Sequence, residues 1–222
     1  MSVKLIPELD RLKNLLGTPP RSSQQTHSLG ESDCEVLKLS EDLYLATTVD
    51  SISEEIALGL YKDPYTMGWV TAMASLSDLA AVGATPQGVL FSAQWSHKVD
   101  DHFKARVFEG FNDALRATGT SLLGGDTGTT NTTVLTSVGV GTSKQKPLTR
   151  VGLKPGHILC TTGPVGRGPA LAYDLLLNDA SHSHFDETLY RPQARLSEGQ
   201  ALRDLASAAM DTSDGLLSTL HR

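Results

Sequence analysis

Aspartates recur in this chain at the ends of apolar or small-residue segments, each beside Ser, Thr or Gly: Ser32-Asp33, Val49-Asp50, Ser77-Asp78, Gly124-Gly125-Asp126-Thr127 and Asp211-Thr212-Ser213-Asp214-Gly215. Carboxylates repel phosphate, so such a set is useful to a nucleotide only when divalent cations lie between the two. Magnesium suits that role, because it takes hard oxygen ligands and commonly bridges one or two carboxylates to substrate phosphates. The glycines beside Asp126 would let backbone N–H groups approach an oxyanion. Taken singly, an Asp at a strand end or before a helix is ordinarily a cap or a turn former. Asp78 stands apart, since it interrupts an otherwise apolar helix, where a carboxylate is rarely left without a partner.

Other chemistry finds little support. There is no G-x-x-x-x-G-K-[ST], G-x-S-x-G, H-E-x-x-H or C-x-x-C, so the common P-loop and hydrolase readings lose support. Arg167 between Gly166 and Gly168 reads as a solvated loop arginine rather than a phosphate contact, and His182-Ser183-His184 as part of a polar loop rather than a metal tract. Cys34 and Cys160 read as small core residues.

The elements that must position these aspartates follow from periodicity. Leu5, Leu9, Leu12 and Leu16 share one face of a leading helix, stopped by Gly17 and Pro19-Pro20. Residues 21–31 form a polar stretch expected to be a mobile loop. Val36–Leu39 and Leu43–Val49 read as a hairpin, Gly68–Gly83 as a buried helix, and Gln87–Gln94 as a strand. Phe103, Val107, Phe111 and Leu115 mark an amphipathic helix, followed by strands over Thr120–Gly124 and Thr132–Gly141. Strand, helix, strand, helix, strand is an α/β pattern. Past Arg150 the punctuation changes: a turn at Lys154-Pro155-Gly156, a strand over Ile158–Thr162, and a glycine-rich turn into a helix. A polar loop over Asn178–Glu187, a helix over Ser197–Ser207 and a final segment Met210–Leu220 complete the chain. The expected organisation is a helix and loop (1–29), an α/β domain (30–150) and the incomplete start of a second domain (151–222).

The 222 residues carry 19 Lys+Arg against 25 Asp+Glu, a net charge of −6, with 39% hydrophobic residues. That is a globular composition large enough for a buried core. The acidic balance argues against nucleic acid as a partner. Two cysteines without a framework point to a reducing compartment, the cytoplasm, and no export signal or membrane span is visible.

Taken together, the motifs carry a resemblance. Asp63-Pro64 leading into Gly68-Trp69, then Leu76-Ser77-Asp78-Leu79-Ala80-Ala81-Val82-Gly83-Ala84-Thr85-Pro86, resembles the helix signature of thiamine-monophosphate kinases, within the PurM-like superfamily of aminoimidazole ribonucleotide synthetase. Leu123-Gly124-Gly125-Asp126-Thr127, Leu148–Gly156, and Glu198–Ala206 followed by Met210–Leu216 are similar to further blocks in the same order. The resemblance covers about residues 30–222. It implies an α/β (α+β) PurM-like N-terminal domain whose mixed sheet joins a second subunit's in a β-barrel. ATP and Mg2+ would lie near the interface of a homodimer, and the terminal phosphoryl would pass to thiamine monophosphate. By motif, Asp33, Asp50, Asp78, Asp126 and Asp214 would be metal ligands. Thr48, Gly124, Gly125, Asp126, Thr127 and Arg150 would contact the nucleotide, and Asp214 and Arg150 would serve catalysis. The chain departs from the family where Ser32-Asp33 replaces paired aspartates and where Ser51–Ile56 replaces a glycine- and histidine-bearing segment. Two other readings stand beside the kinase: a non-catalytic nucleotide-binding or dimerising fragment, and a related ATP-dependent enzyme with a different acceptor.

Overall fold

The computed structural model describes residues 8–177 and 186–221. Helix α1 (Glu8–Leu16) precedes a hairpin of β1 (Glu35–Ser40) and β2 (Leu43–Ser51), a short helix α2 (Ser53–Ala57), helix α3 (Pro64–Ala81), strand β3 (Thr85–Ser96), helix α4 (Asp101–Thr118), and strands β4 (Leu122–Thr130) and β5 (Val134–Ser143). Beyond Arg150 come α5 (Arg167–Leu177), a 3-10 turn (Glu187–Leu189), α6 (Leu196–Leu202) and α7 (Leu216–His221). The strands form one mixed sheet in the order β1-β2-β5-β3-β4, with only β3 and β4 parallel. The expected α/β pattern is this sheet with α3 and α4 on one face. Among the described residues no helix is long and apolar enough to cross a membrane.

Helix α3 starts at Pro64, four residues before the start read from sequence, because Asp63 caps it. Its carboxylate accepts from Thr66 N at 2.8 Å and from Thr66 Oγ1 at 2.6 Å, with proline at the first helical position. Twelve of its residues are buried, so periodicity gives way to burial all round. Gly68 and Gly110 let α3 and α4 touch backbone to backbone: a Cβ on either would lie 1.9 Å from a carbonyl oxygen of the other helix, Val107 O or Tyr65 O. Below them Leu76, Leu79, Val107, Phe111, Val89, Phe91 and Leu135 make the core, with the Phe91 and Phe111 rings stacked at 4.3 Å.

The other face of the sheet is open. Val49, Val138, Leu90 and Gly124 lie in register across β2, β5, β3 and β4, and Val49 is 66% exposed. The period of two along a strand puts Thr48 and Asp50 on the face that α3 covers.

Several expectations are corrected. The Gly124-Gly125-Asp126-Thr127 run lies inside β4 rather than at the end of a strand closing at Gly124, since Leu90 to Ala93 of β3 pair with it residue by residue. The polar stretch 21–31 is tied down, because β1 is an edge strand with free backbone groups: Thr26 N donates to Val36 O at 3.1 Å and Lys38 N to Gln24 O at 2.9 Å. Helix α2 was not evident in Ser53–Ala57. Ile158–Thr162 forms no strand. Ile158 is 87% exposed, and among the described residues no strand runs beside it to complete a ladder. Cys160 there is exposed rather than in the core, whereas Cys34 is buried. The helix read over Ser197–Ser207 stops at Leu202, and in the last segment only Leu216–His221 is helical. Leu5, His182, His184 and the polar loop as far as 185 fall outside the described residues.

Candidate functional site

Four segments far apart in sequence converge at the open end of the α3–β2 contact. Asp50 comes from β2, Asp78 from α3, Asp33 from the turn before β1, and Asp211 from the loop before α7. Backbone hydrogen bonds lace these loops together: Arg150 N donates to Glu31 O at 2.7 Å, Ala209 N to Thr149 O at 3.0 Å, and Leu148 N to Val82 O at 3.1 Å. Thus the chain after β5 bridges the Asp33 turn on one side and the Asp211 loop on the other. The result is a polar cleft of about 260 Å³ lined by Asp50, Asp78, Arg150, Met210, Asp211, Ser213 and Asp214.

Three of these carboxylates are gripped from another segment of the chain. Thr48 Oγ1 donates to Asp78 Oδ2 at 2.5 Å, Arg150 Nη2 to Asp33 Oδ1 at 2.8 Å, and Ser77 Oγ to Asp211 Oδ2 at 3.2 Å. Asp33 Oδ2 is buried with no hydrogen-bond partner. Burial, and then the neighbouring charges, push the Asp78 carboxyl up to about 8 and that of Asp50 up to about 6. Burial and the Asp33 charge raise Asp211 in the same direction.

One oxygen each from Asp33, Asp78 and Asp211 lies within 4.8 Å of the others. A like-charged set so close is costly unless protonated or bridged. The orphaned Asp33 oxygen and the all-oxygen donor set fit a hard divalent cation such as Mg2+. With a cation, the cleft changes from a phosphate-repelling to a phosphate-accepting surface.

Of the residues expected from sequence, the structure brings Asp33, Thr48, Asp50, Asp78, Arg150 and Asp214 to this cleft, with Asp214 exposed at its rim. Thr48 holds Asp78 through its hydroxyl. Gly124, Gly125, Asp126 and Thr127 are elsewhere. Asp126 pairs with Ser92 on the edge strand β4, three strands from β2, or about 14 Å at the usual strand spacing, and it faces the open side of the sheet. Thr127 is occupied, accepting from Trp95 Nε1 at 2.8 Å and donating to Ala93 O at 3.2 Å. The sequence marks Asp211 within the Asp211–Gly215 block, but the resemblance assigns the metal to its neighbour Asp214. The available signal for Asp211 was its place directly after the small and apolar Ala208-Ala209-Met210, the pattern shared by Asp50 and Asp126.

The chain is similar to known proteins along most of its length. The chain is 29% identical over 200 residues to the thiamine-monophosphate kinase of Methanocaldococcus jannaschii, covering 84% of this chain and 62% of that protein. It is 32% identical over 206 residues to the thiamine-monophosphate kinase of Escherichia coli (strain K12), covering 90% and 63%. The chain therefore spans less than two thirds of the length of these relatives. The fold matches the solved structure of AaThiL complexed with AMPPCP and TMP, with a TM-score of 0.78 and 21% identity, covering 96% of this chain and 66% of that one. Residues 31–143, the span from the Asp33 turn to the end of β5, match the N-terminal domain of AIR synthase related protein. The chain belongs to the AIR synthase related protein family.

Proposed function

We propose that this protein takes part in ATP- and Mg2+-dependent phosphoryl transfer of the thiamine-monophosphate kinase type, thiamine monophosphate and ATP giving thiamine diphosphate and ADP. The observation that carries the reading is the convergence of Asp33, Asp50, Asp78 and Asp211 on one cleft beside Arg150. Such transfer needs positioning and charge stabilisation rather than an enzyme nucleophile, and the cleft presents acidic oxygens and a guanidinium but no Ser–His or Cys–His pair. Bound Mg2+ would neutralise charge developing on the transferred phosphoryl. Asp33, Asp78 and Asp211 would hold it, Asp50 and Asp214 would serve at the margin, and Arg150 would fix Asp33. The cytoplasm is the proposed setting, and residues 151–222 are read as the beginning of a second domain that contributes Asp211.

The open sheet face supports a homodimer. An apolar row of exposed Val49 and Leu90 with half-buried Val138 between them is a surface a second copy would cover, closing the paired sheets into a barrel. In that arrangement Gly124 and Asp126, on the open face, would serve the nucleotide from the partner copy, whereas Gly125 and Thr127 lie on the face that the helices cover. The test is ADP formation from Mg-ATP with and without thiamine monophosphate, with thiamine diphosphate followed directly. Acceptor-dependent ADP matched by thiamine diphosphate supports the kinase. ATP binding without either product overturns it in favour of a nucleotide-binding module.

A further inference from the structure

Ser77 and Asp78 are adjacent on α3, and the turn of about 100° per residue directs their side chains to different segments. Asp78 meets Thr48 of β2, while Ser77 Oγ donates to Asp211 Oδ2 at 3.2 Å, across 134 residues of sequence. A hydroxyl inside a helix usually bonds back to its own helix or faces water. Two others on α3 do so, Thr71 to Met67 O at 2.7 Å and Ser75 to Ala72 O at 3.5 Å. Ser77 instead reaches out of the helix to a carboxylate of the cleft.

Asp211 needs such a hold. Among the described residues it forms no salt bridge, in contrast to Asp33 with Arg150. Its Oδ1 accepts from Ser213 Oγ at 3.2 Å, but Ser213 rides on the same loop. The bonds of Ala209 N to Thr149 O and of Thr219 Oγ1 to Asp211 O, at 3.0 and 3.1 Å, fix the loop backbone, so among the described residues the Ser77 bond is what ties the carboxylate itself to another element. Repulsion from Asp33 and Asp78 would turn it outward. We propose that Ser77 is a positioning residue: its hydroxyl latches Asp211 to α3 so that Asp33, Asp78 and Asp211 present oxygens to one divalent cation. This rests on reading the cleft as a cation site.

The test is calorimetric titration of Mg2+ into the whole protein without nucleotide, with hydrogen exchange of the 209–215 amides as a second readout. Ser77→Ala should weaken Mg2+ binding about tenfold, the lower end of what lost support of a ligand costs, and speed exchange in the loop. Ser77→Thr, which keeps the hydroxyl, should restore affinity to within about twofold. Ser75→Ala, losing a hydroxyl from the same helix, should bind as the wild type does. Should Ser77→Ala fail to fold, the near-isosteric weak donor in Ser77→Cys is expected to give the same loss. Undiminished Mg2+ affinity in Ser77→Ala overturns the latch and leaves the cation site standing. Equal losses in Ser77→Ala and Ser77→Thr also overturn it, since packing and not the hydroxyl would then matter. A wild-type protein that takes up no Mg2+ sinks the cation reading itself, and the latch with it.

Discussion

Arg150 and Asp33 form an unequal pair: one Asp33 oxygen accepts from the guanidinium at 2.8 Å, and the other is buried with no partner. The Asp33 side chain is 1% exposed and that of Arg150 22%. Removing the arginine would strand a buried charge, a loss of about 3–5 kcal/mol where one partner of a buried pair is deleted. Arg150→Met should therefore lower the denaturation midpoint sharply, and adding Asp33→Asn should recover part of it. Urea unfolding of the single and double variants measures this; additive losses would mean that the pair is not coupled.

Asp78 sets function against stability. Its carboxyl is held up near 8 by burial and by Asp50, Asp211 and Asp33, so Asp78→Asn should raise the melting temperature of the metal-free protein at alkaline pH. About 2–4 °C is expected for each kcal/mol relieved in a domain of this size. The same change should cut phosphoryl transfer by orders of magnitude. Thermal melts beside turnover assays decide it, and retained turnover would remove Asp78 from the proposed ligand set.

The pH dependence has a definite sign. Asp50 and Asp78 carry folded-state values of about 6 and about 8, above the roughly 3.9 of an unfolded aspartate. Between those limits the native state binds more protons than the unfolded state, so this contribution to stability is full below about pH 4 and lost as pH rises through 6 and 8. Metal-free protein should melt lower at about pH 8.5 than at about pH 5.5, and saturating Mg2+ should reverse most of the difference because protons and cation compete for the same oxygens. Melting curves at the two pH values, with and without Mg2+, test the sign.

Asp126 offers a test of assembly. If its copy in the second subunit completes each cleft, chains carrying Asp78→Asn and chains carrying Asp126→Asn are each inactive alone. Mixed and reassembled, half of the dimers are hybrids with one intact site each, so about a quarter of wild-type activity should return. No recovery on verified subunit exchange would show that Asp126 does not act in trans.

Much of this molecule follows from local sequence. Asp63-Pro64 before an apolar run, the four-residue spacing of Phe103 to Leu115 and the β-branched run of β5 specify α3, α4 and β5 through capping, periodicity and propensity, which are properties of neighbours in the chain. The recurring Ser/Thr/Gly–Asp pattern likewise marked Asp33, Asp50 and Asp78 as acids with a shared purpose. The tertiary structure decided which acids meet. Strand alternation and the order β2-β5-β3-β4 send Asp126 to the far edge and open face, while the bonds from Arg150 to Glu31 and from Ala209 to Thr149 bring in Asp211. The same limit explains Ile158–Thr162, whose composition favours a strand but whose ladder needs a neighbour. Helices close their hydrogen bonds within a segment and can be read there, whereas sheets and charge clusters are completed by distant residues, which no local spacing reveals.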